Sequence, residues 1–143
     1  MISVYKNNIS LFEITKPKIQ SIATNVLTHL GHLDSDLTVY LTDNHHIQKL
    51  NKQYRGIDAP TDVLSFSYNE KYAESDKIYL GDIIISLEYA RLEAVKKGCN
   101  LLDEVKLLIV HGVLHLSGYN HGGLIESKEM SAKQAEILSY LNR

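Results

Sequence analysis

The chain has a single cysteine, Cys99, a net charge of only −2 at neutral pH, and no long apolar run. One cysteine excludes an intrachain disulfide, so a reducing compartment is the simplest setting. The opening residues, Met1 to Lys6, lack an apolar stretch of the signal-peptide kind. No segment approaches the ~20 apolar residues that a membrane helix needs. A cytoplasmic protein with no membrane partner is expected. The near-neutral balance, with a pI near 6.4, excludes polyanion binding by bulk charge, so any nucleic-acid contact must rest on a local patch. Repeats, low-complexity segments and linkers are also absent. What remains is an ordinary globular composition, 44% hydrophobic over 143 residues. That length reads as one domain, 1–143, able to bury roughly two-thirds of its unfolded surface.

Local patterning mixes strands and helices. Residues 2–6 read as a short strand and Asn7-Asn8 as a turn. Lys16 to His29 has helical apolar spacing through Ile19, Ile22, Ala23, Val26 and Leu27, ending near Gly31. Leu37 to Leu41 is a β-branched and aromatic strand, and His45 to Tyr54 a helix with Ile47 and Leu50 inward. Gly56 to Pro60 is a loop, Asp62 to Phe66 a strand, and Ser67 to Lys77 a hairpin or mobile loop. Ile78 to Ile85 is a strand whose Ile83-Ile84-Ile85 run suits a buried central position.

Ser86 caps a helix through Lys97 that Gly98 closes, and Asn100 caps the next, with Asp103 and Glu104 favouring its positive end. That helix, Leu101 to Ser117, is apolar on nearly every side through Leu102, Val105, Leu108, Ile109, Val113 and Leu116. It is expected to be central and buried, with Cys99 a small buried residue before it. The last helix, about Ile125 to Leu141, turns Met130, Ala135, Leu138 and Leu141 inward. Without strict βαβ alternation, the pattern predicts an α+β fold, a small mixed sheet of about four strands with about five helices.

The chemistry concentrates at residues 111–121, His-Gly-Val-Leu-His-Leu-Ser-Gly-Tyr-Asn-His, which hold three of the chain's seven histidines. His111 and His115 are four apart and share one helix face. Gly118 lets the chain leave the helix in a left-handed conformation and swing His121 back toward them. Three neutral imidazoles leave a fourth position on a tetrahedral zinc open for water or substrate. They suit nickel or copper as well. A lone histidine on an apolar helix is usually a satisfied core residue, but three at this spacing are hard to explain so. His29, His32, His45 and His46 lack the pattern and read as surface or helix-end residues.

The spacing His-x3-His-x5-His, with Gly at the eighth position, matches the metzincin metalloproteases, whose general base is a Glu directly after the first His. Here that position is Gly112, and the nearest acids, Asp103, Glu104 and Glu126, do not occupy that geometry. Peptide hydrolysis is disfavoured. A zinc held by neutral ligands keeps its positive charge and favours an anionic, phosphoryl substrate.

A second constellation runs through Tyr54-Arg55-Gly56 and Thr61 to Phe66. Arg55, at a helix end, can hold a phosphate with a two-pronged hydrogen bond, and Lys49 and Lys52 extend a basic patch from the same helix. Taken alone, solvated surface charge is the usual reading of all three. Asp82, in an apolar strand, needs a partner. It can brace a ligand histidine, pair with Arg55, or hold backbone amides.

With both segments in view, the chain resembles the YbeY family of bacterial endoribonucleases. The matching stretches are Leu50-Asn51 to Tyr54-Arg55-Gly56, Thr61-Asp62-Val63-Leu64-Ser65-Phe66, Gly81-Asp82-Ile83, and His111-Gly112 to Gly118-Tyr119-Asn120-His121. Met130 and Glu136-Ile137-Leu138 resemble its C-terminal helix. The resemblance implies a single-domain α+β metalloprotein with one zinc ion per chain, held by His111, His115 and His121. It implies Arg55 as a functional arginine, and a single-strand-specific endoribonuclease acting in 16S rRNA 3′-end maturation and ribosome quality control. The implied partners are the 16S rRNA precursor and the ribosome, a ribosomal protein or an assembly GTPase, not DNA. Asn120 departs from the family's usual Asp; it can hold the turn but cannot remove a proton.

The reading that follows is a zinc-dependent cleavage of single-stranded RNA, with zinc activating water or polarising a phosphoryl oxygen and Arg55 stabilising the transition state. Its rivals are a ribosome-assembly factor with a structural zinc and a metal-dependent hydrolase of another substrate.

Overall fold

The computed structural model describes residues 2–6, 14–73, 75–120 and 122–142. The elements run β1 (Ile2–Lys6), α1 (Lys16–Leu30), β2 (Ser35–Thr42), α2 (Asn44–Arg55), β3 (Val63–Lys71), β4 (Ile78–Ser86), α3 (Leu87–Lys97), α4 (Leu101–Leu116) and α5 (Leu124–Leu141). This is the expected α+β fold, with five helices and one four-stranded mixed sheet ordered β1-β2-β4-β3. β1, β2 and β4 are parallel; β3 pairs antiparallel with β4 and forms an edge.

Side chains alternate across the sheet because successive Cβ atoms point to opposite faces. Leu37, Val39 and Leu41 of β2 and Ile83 and Ile85 of β4 join the main core with residues of α1, α3, α4 and α5. Ile84 and Leu64 point the other way and meet Ile47 of α2 in a smaller cluster. α4 is buried as its sequence predicts, with Val105, Ile109, Val110, Val113 and Leu114 fully inaccessible. Glu104, 2% exposed, is not left unpaired there: both its oxygens accept from Lys97 Nζ at 3.0 and 2.9 Å.

The helix signals act as expected. Ser86 Oγ accepts from Tyr89 N, and Asn100 Oδ1 from Asp103 N. Ser67 to Lys77 is a hairpin: β3 continues to Lys71 before the turn into β4. A register shift between Ser67 and Glu70 lies opposite Gly81, whose φ of +150° few residues adopt. A Cβ on Gly81 would strike the Phe66 carbonyl oxygen, so glycine is required there.

Two expectations fail. Ala135 is exposed and Ile137 takes the inward position on α5, because α5 presents the Met130–Ile137 stripe to the core. Cys99 is only partly buried, since it lies in the short link after Gly98 ends α3. The Asn7-Asn8 turn lies outside the described residues.

Candidate active site

His111 and His115 rise from the last turns of α4, one turn apart on the side facing β3. Their Nε2 atoms are 3.1 Å apart, and the rings meet edge to face with centroids at 4.6 Å. His111 Nδ1 meets Gln134 Oε1 of α5 at 3.2 Å. An amide oxygen can only accept, so this contact places the proton on Nδ1 and turns the Nε2 lone pair toward His115. Two ligand nitrogens on a tetrahedral zinc, each at about 2.0–2.1 Å, stand about 3.3 Å apart. The two imidazoles already hold nearly that separation, so the pair fits the metal, with Gln134 as the outer partner that fixes one ring.

The chain then leaves α4 through Gly118, whose φ is +100°, with Tyr119 N bonded back to the Leu114 carbonyl. Asn120 Oδ1 accepts from Gly122 N at 2.8 Å, the local side-chain-to-backbone bond that a short amide side chain makes. His121 itself lies outside the described residues, and among the described residues no cluster of three or more His, Cys, Asp or Glu forms a metal site.

Gly112 explains the missing glutamate. It faces the sheet, where a Cβ would stand 3.0 Å from Ile83 Cδ1 and Cγ2. The position after His111 is therefore a packing contact between α4 and β4, and a Glu there would be driven into the core rather than toward the histidines.

Arg55 reaches the same cleft from the opposite face of the sheet. It ends α2, where Gly56 takes the left-handed cap with φ of +73°. Asn51, nearly buried, ties the following loop through Ala59 O at 2.9 Å. The guanidinium wraps the edge strand: Nη2 donates to Ser65 O at 2.9 Å, and Cζ stands 5.2 Å from the centre of the Phe66 ring. With one contact to Ser65, the five-donor fork retains N–H groups for a phosphoryl oxygen. Arg55, His111 and His115 line one cleft of about 620 Å3 along β3, from Val63 to Tyr68.

The other candidates lie elsewhere. Asp82 lies on the α2 side of β4, lining a groove with Tyr40 and Ile84 rather than the histidine cleft. It accepts a hydrogen bond from the Tyr79 hydroxyl, which also meets Thr38 Oγ1 at 2.7 Å. Burial, then the bond to Asp82, pushes the Tyr79 phenol far above its ordinary value, so it stays protonated. Lys52 lies 3.7 Å from Asp58, and Lys49 lines a separate groove, so neither extends the basic patch into the cleft. The bracing role considered for Asp82 falls instead to Gln134, four residues after inward Met130 on α5, a polar residue in an inward row. His29 and His46 sit at the surface on Glu136 and Asp43, each within 2.9 Å.

Comparison with known proteins closes the description. A family model described as Endoribonuclease YbeY matches residues 4–142. An endoribonuclease YbeY of Aquifex aeolicus is 43% identical over 132 residues, 92% of this chain and 87% of that protein. One from a Sulfurihydrogenibium species is 44% identical over 121 residues, 85% of this chain and 76% of that protein. A solution structure of a Thermotoga maritima protein superposes with a TM-score of 0.62 at 29% identity, covering 96% of this chain and 87% of that one.

Proposed function

The chain belongs to the endoribonuclease YbeY family, and on that premise we propose that it is a zinc-dependent, single-strand-specific endoribonuclease acting in 16S rRNA 3′-end maturation and ribosome quality control. The observation that carries this reading is the meeting of Arg55 with His111 and His115 in one cleft. The three residues come from opposite faces of the sheet, and a structural zinc would have no use for the arginine.

In this reading His111 and His115 hold the zinc with His121 as third ligand, and Gln134 keeps the His111 ring in its ligating tautomer. Bound there, zinc supplies a Lewis acid beside the scissile phosphate. Arg55, held flat between Ser65 O and the Phe66 ring, donates to the phosphoryl oxygens as negative charge builds on them. No carboxylate lines the cleft among the described residues, so proton removal is not assigned to an Asp or Glu of this chain. The protein works in the cytoplasm, docked on the ribosome through a ribosomal protein or assembly GTPase. A net charge of −2 makes such docking more useful than bulk attraction to RNA.

The test pairs elemental analysis with cleavage of a labelled single-stranded RNA by wild type, Arg55→Glu and His115→Ala. One zinc per chain is expected in wild type and Arg55→Glu, with zinc lost from His115→Ala. Cutting should fall by at least about 100-fold in Arg55→Glu, the scale of one lost transition-state donor, and to background in His115→Ala. Products ending in 2′,3′-cyclic phosphate would identify the RNA's own 2′-hydroxyl as the attacking group. Cutting that survives His115→Ala without metal would overturn the mechanism and favour an assembly factor.

A further inference from the structure

On the side of β3 opposite the histidines, α2 leaves part of the sheet face uncovered, and an open groove of about 570 Å3 lies there. Tyr5, Tyr40, Tyr54 and Tyr68 line it, each between 38% and 56% exposed. The rings are already ordered. Tyr5 stacks on Tyr40 with centroids 5.3 Å apart, Tyr68 stacks on Tyr79 at 5.6 Å, and Tyr54 meets Phe66 edge-on at 5.2 Å. Lys6 and exposed Lys49 stand at the lining, Lys6 anchored by its bond to the Ile14 carbonyl. Asp82 also lines the groove. A carboxylate offers about four acceptor sites, so Asp82 can take an exocyclic amino group besides the Tyr79 hydroxyl.

Ring faces for bases, with cations beside them for phosphates, make a single-strand platform that tolerates any sequence, since every base has a π-face. A peptide adding a strand would pair along the outer edge of β1 or β3, whereas this groove lies across the face of the sheet, over side chains of β2 and β4 as well. The groove adjoins the histidine cleft at the edge strand. Phe66 and Tyr68 line both, and Arg55 stands over Phe66 where they meet.

We infer that this groove is a second RNA site, in which single-stranded RNA flanking the scissile bond stacks on Tyr5, Tyr40, Tyr54 and Tyr68 and passes over Phe66 into the cleft. The inference rests on the ribonuclease reading above. It gives a mildly acidic chain a means of holding a polyanion by ring faces rather than by bulk charge.

The test uses zinc-loaded protein with the Tyr5→Ala/Tyr40→Ala pair, the Tyr5→Phe/Tyr40→Phe pair, and two RNAs. One RNA is a cleaved single strand; the other is the same strand trimmed on both sides of its mapped cut. With the full-length RNA, the Ala pair should raise KM by about 5- to 150-fold for each lost stack, with kcat unchanged. The Phe pair, which keeps the rings, should behave as wild type, and the trimmed RNA should be cut alike by all three. Abasic nucleotides in the flank should weaken wild-type binding more than that of the Ala pair, which keeps only Tyr54 and Tyr68 of the four rings. An unchanged KM in the Ala pair, with cutting intact, would overturn the inference, leave the ribonuclease reading standing, and turn the groove over to a protein partner. A wild type that cuts neither RNA would overturn both.

Discussion

The histidine cleft and the tyrosine groove share strand β3 but are built by different means. The cleft takes His111 and His115 from α4, whose other faces are sealed by fully buried Ile109, Val110, Val113 and Leu114. The groove rests on the small cluster of Ile47, Leu64 and Ile84, and its tyrosine rings stand half in water. A reaction centre must hold its atoms within a fraction of an ångström, and a helix packed on every other side does that. A surface that accepts many sequences needs broad ring faces instead. Arg55 joins the two, because it leaves α2 on the groove side and reaches the cleft around the edge strand.

The largest effect should come from breaking what both regions share. Gly81→Ala puts a Cβ against the Phe66 carbonyl oxygen in a backbone conformation few side chains adopt. It should cost about 3 kcal/mol or more in urea unfolding. A loss under about 1 kcal/mol would mean that β3 shifts on β4 without penalty, and that the two regions are less tightly tied than their shared strand suggests.

Gln134→Leu should separate the regions. Without its acceptor, the His111 ring loses its tautomer and orientation, and zinc affinity in a competition titration should fall about 10- to 100-fold. RNA stacking on the groove should not change. Equal zinc affinity in the variant would remove Gln134 from the site.

The smallest effect concerns α2, which supplies Tyr54 to one region and Arg55 to the other. Asp43 caps this helix. The backbone N–H of His46, then the His46 ring, hold its carboxyl below the ordinary 3.8. Because the native value is the lower one, the stabilisation is fully present above 3.8 and fades as pH falls through the native value. Asp43→Ala should therefore cost about 1 kcal/mol at neutral pH, and the two proteins should converge in strong acid. A gap that persists in acid would assign the effect to packing rather than to the charged cap.

Much of the cleft was legible because helical spacing is local. His111 and His115 share a face by their interval alone, and Ser86, Asn100 and Gly118 mark ends through their own backbone chemistry. Asp82 was not, because the Ile83-Ile84-Ile85 run is buried on both sides of β4 and erases the alternation that would tell one face from the other. Gln134 was hidden for a similar reason. α5 is only weakly patterned, with Met130 and Ile137 its buried residues, so a polar side chain between them gave little sign of facing inward.

By itself the sequence determined the elements, the apolar character of α4, the paired histidines and the family to which they point. These follow from periodicity and caps, which act over a few residues. Only the tertiary structure decided that Gly112 is a packing contact with Ile83, that Arg55 crosses an edge strand to reach the histidines, and that tyrosines from β1, β2, α2 and β3 line one groove. Those facts depend on strand order and register, which are set by how distant segments bury their faces together, and no local pattern carries that information.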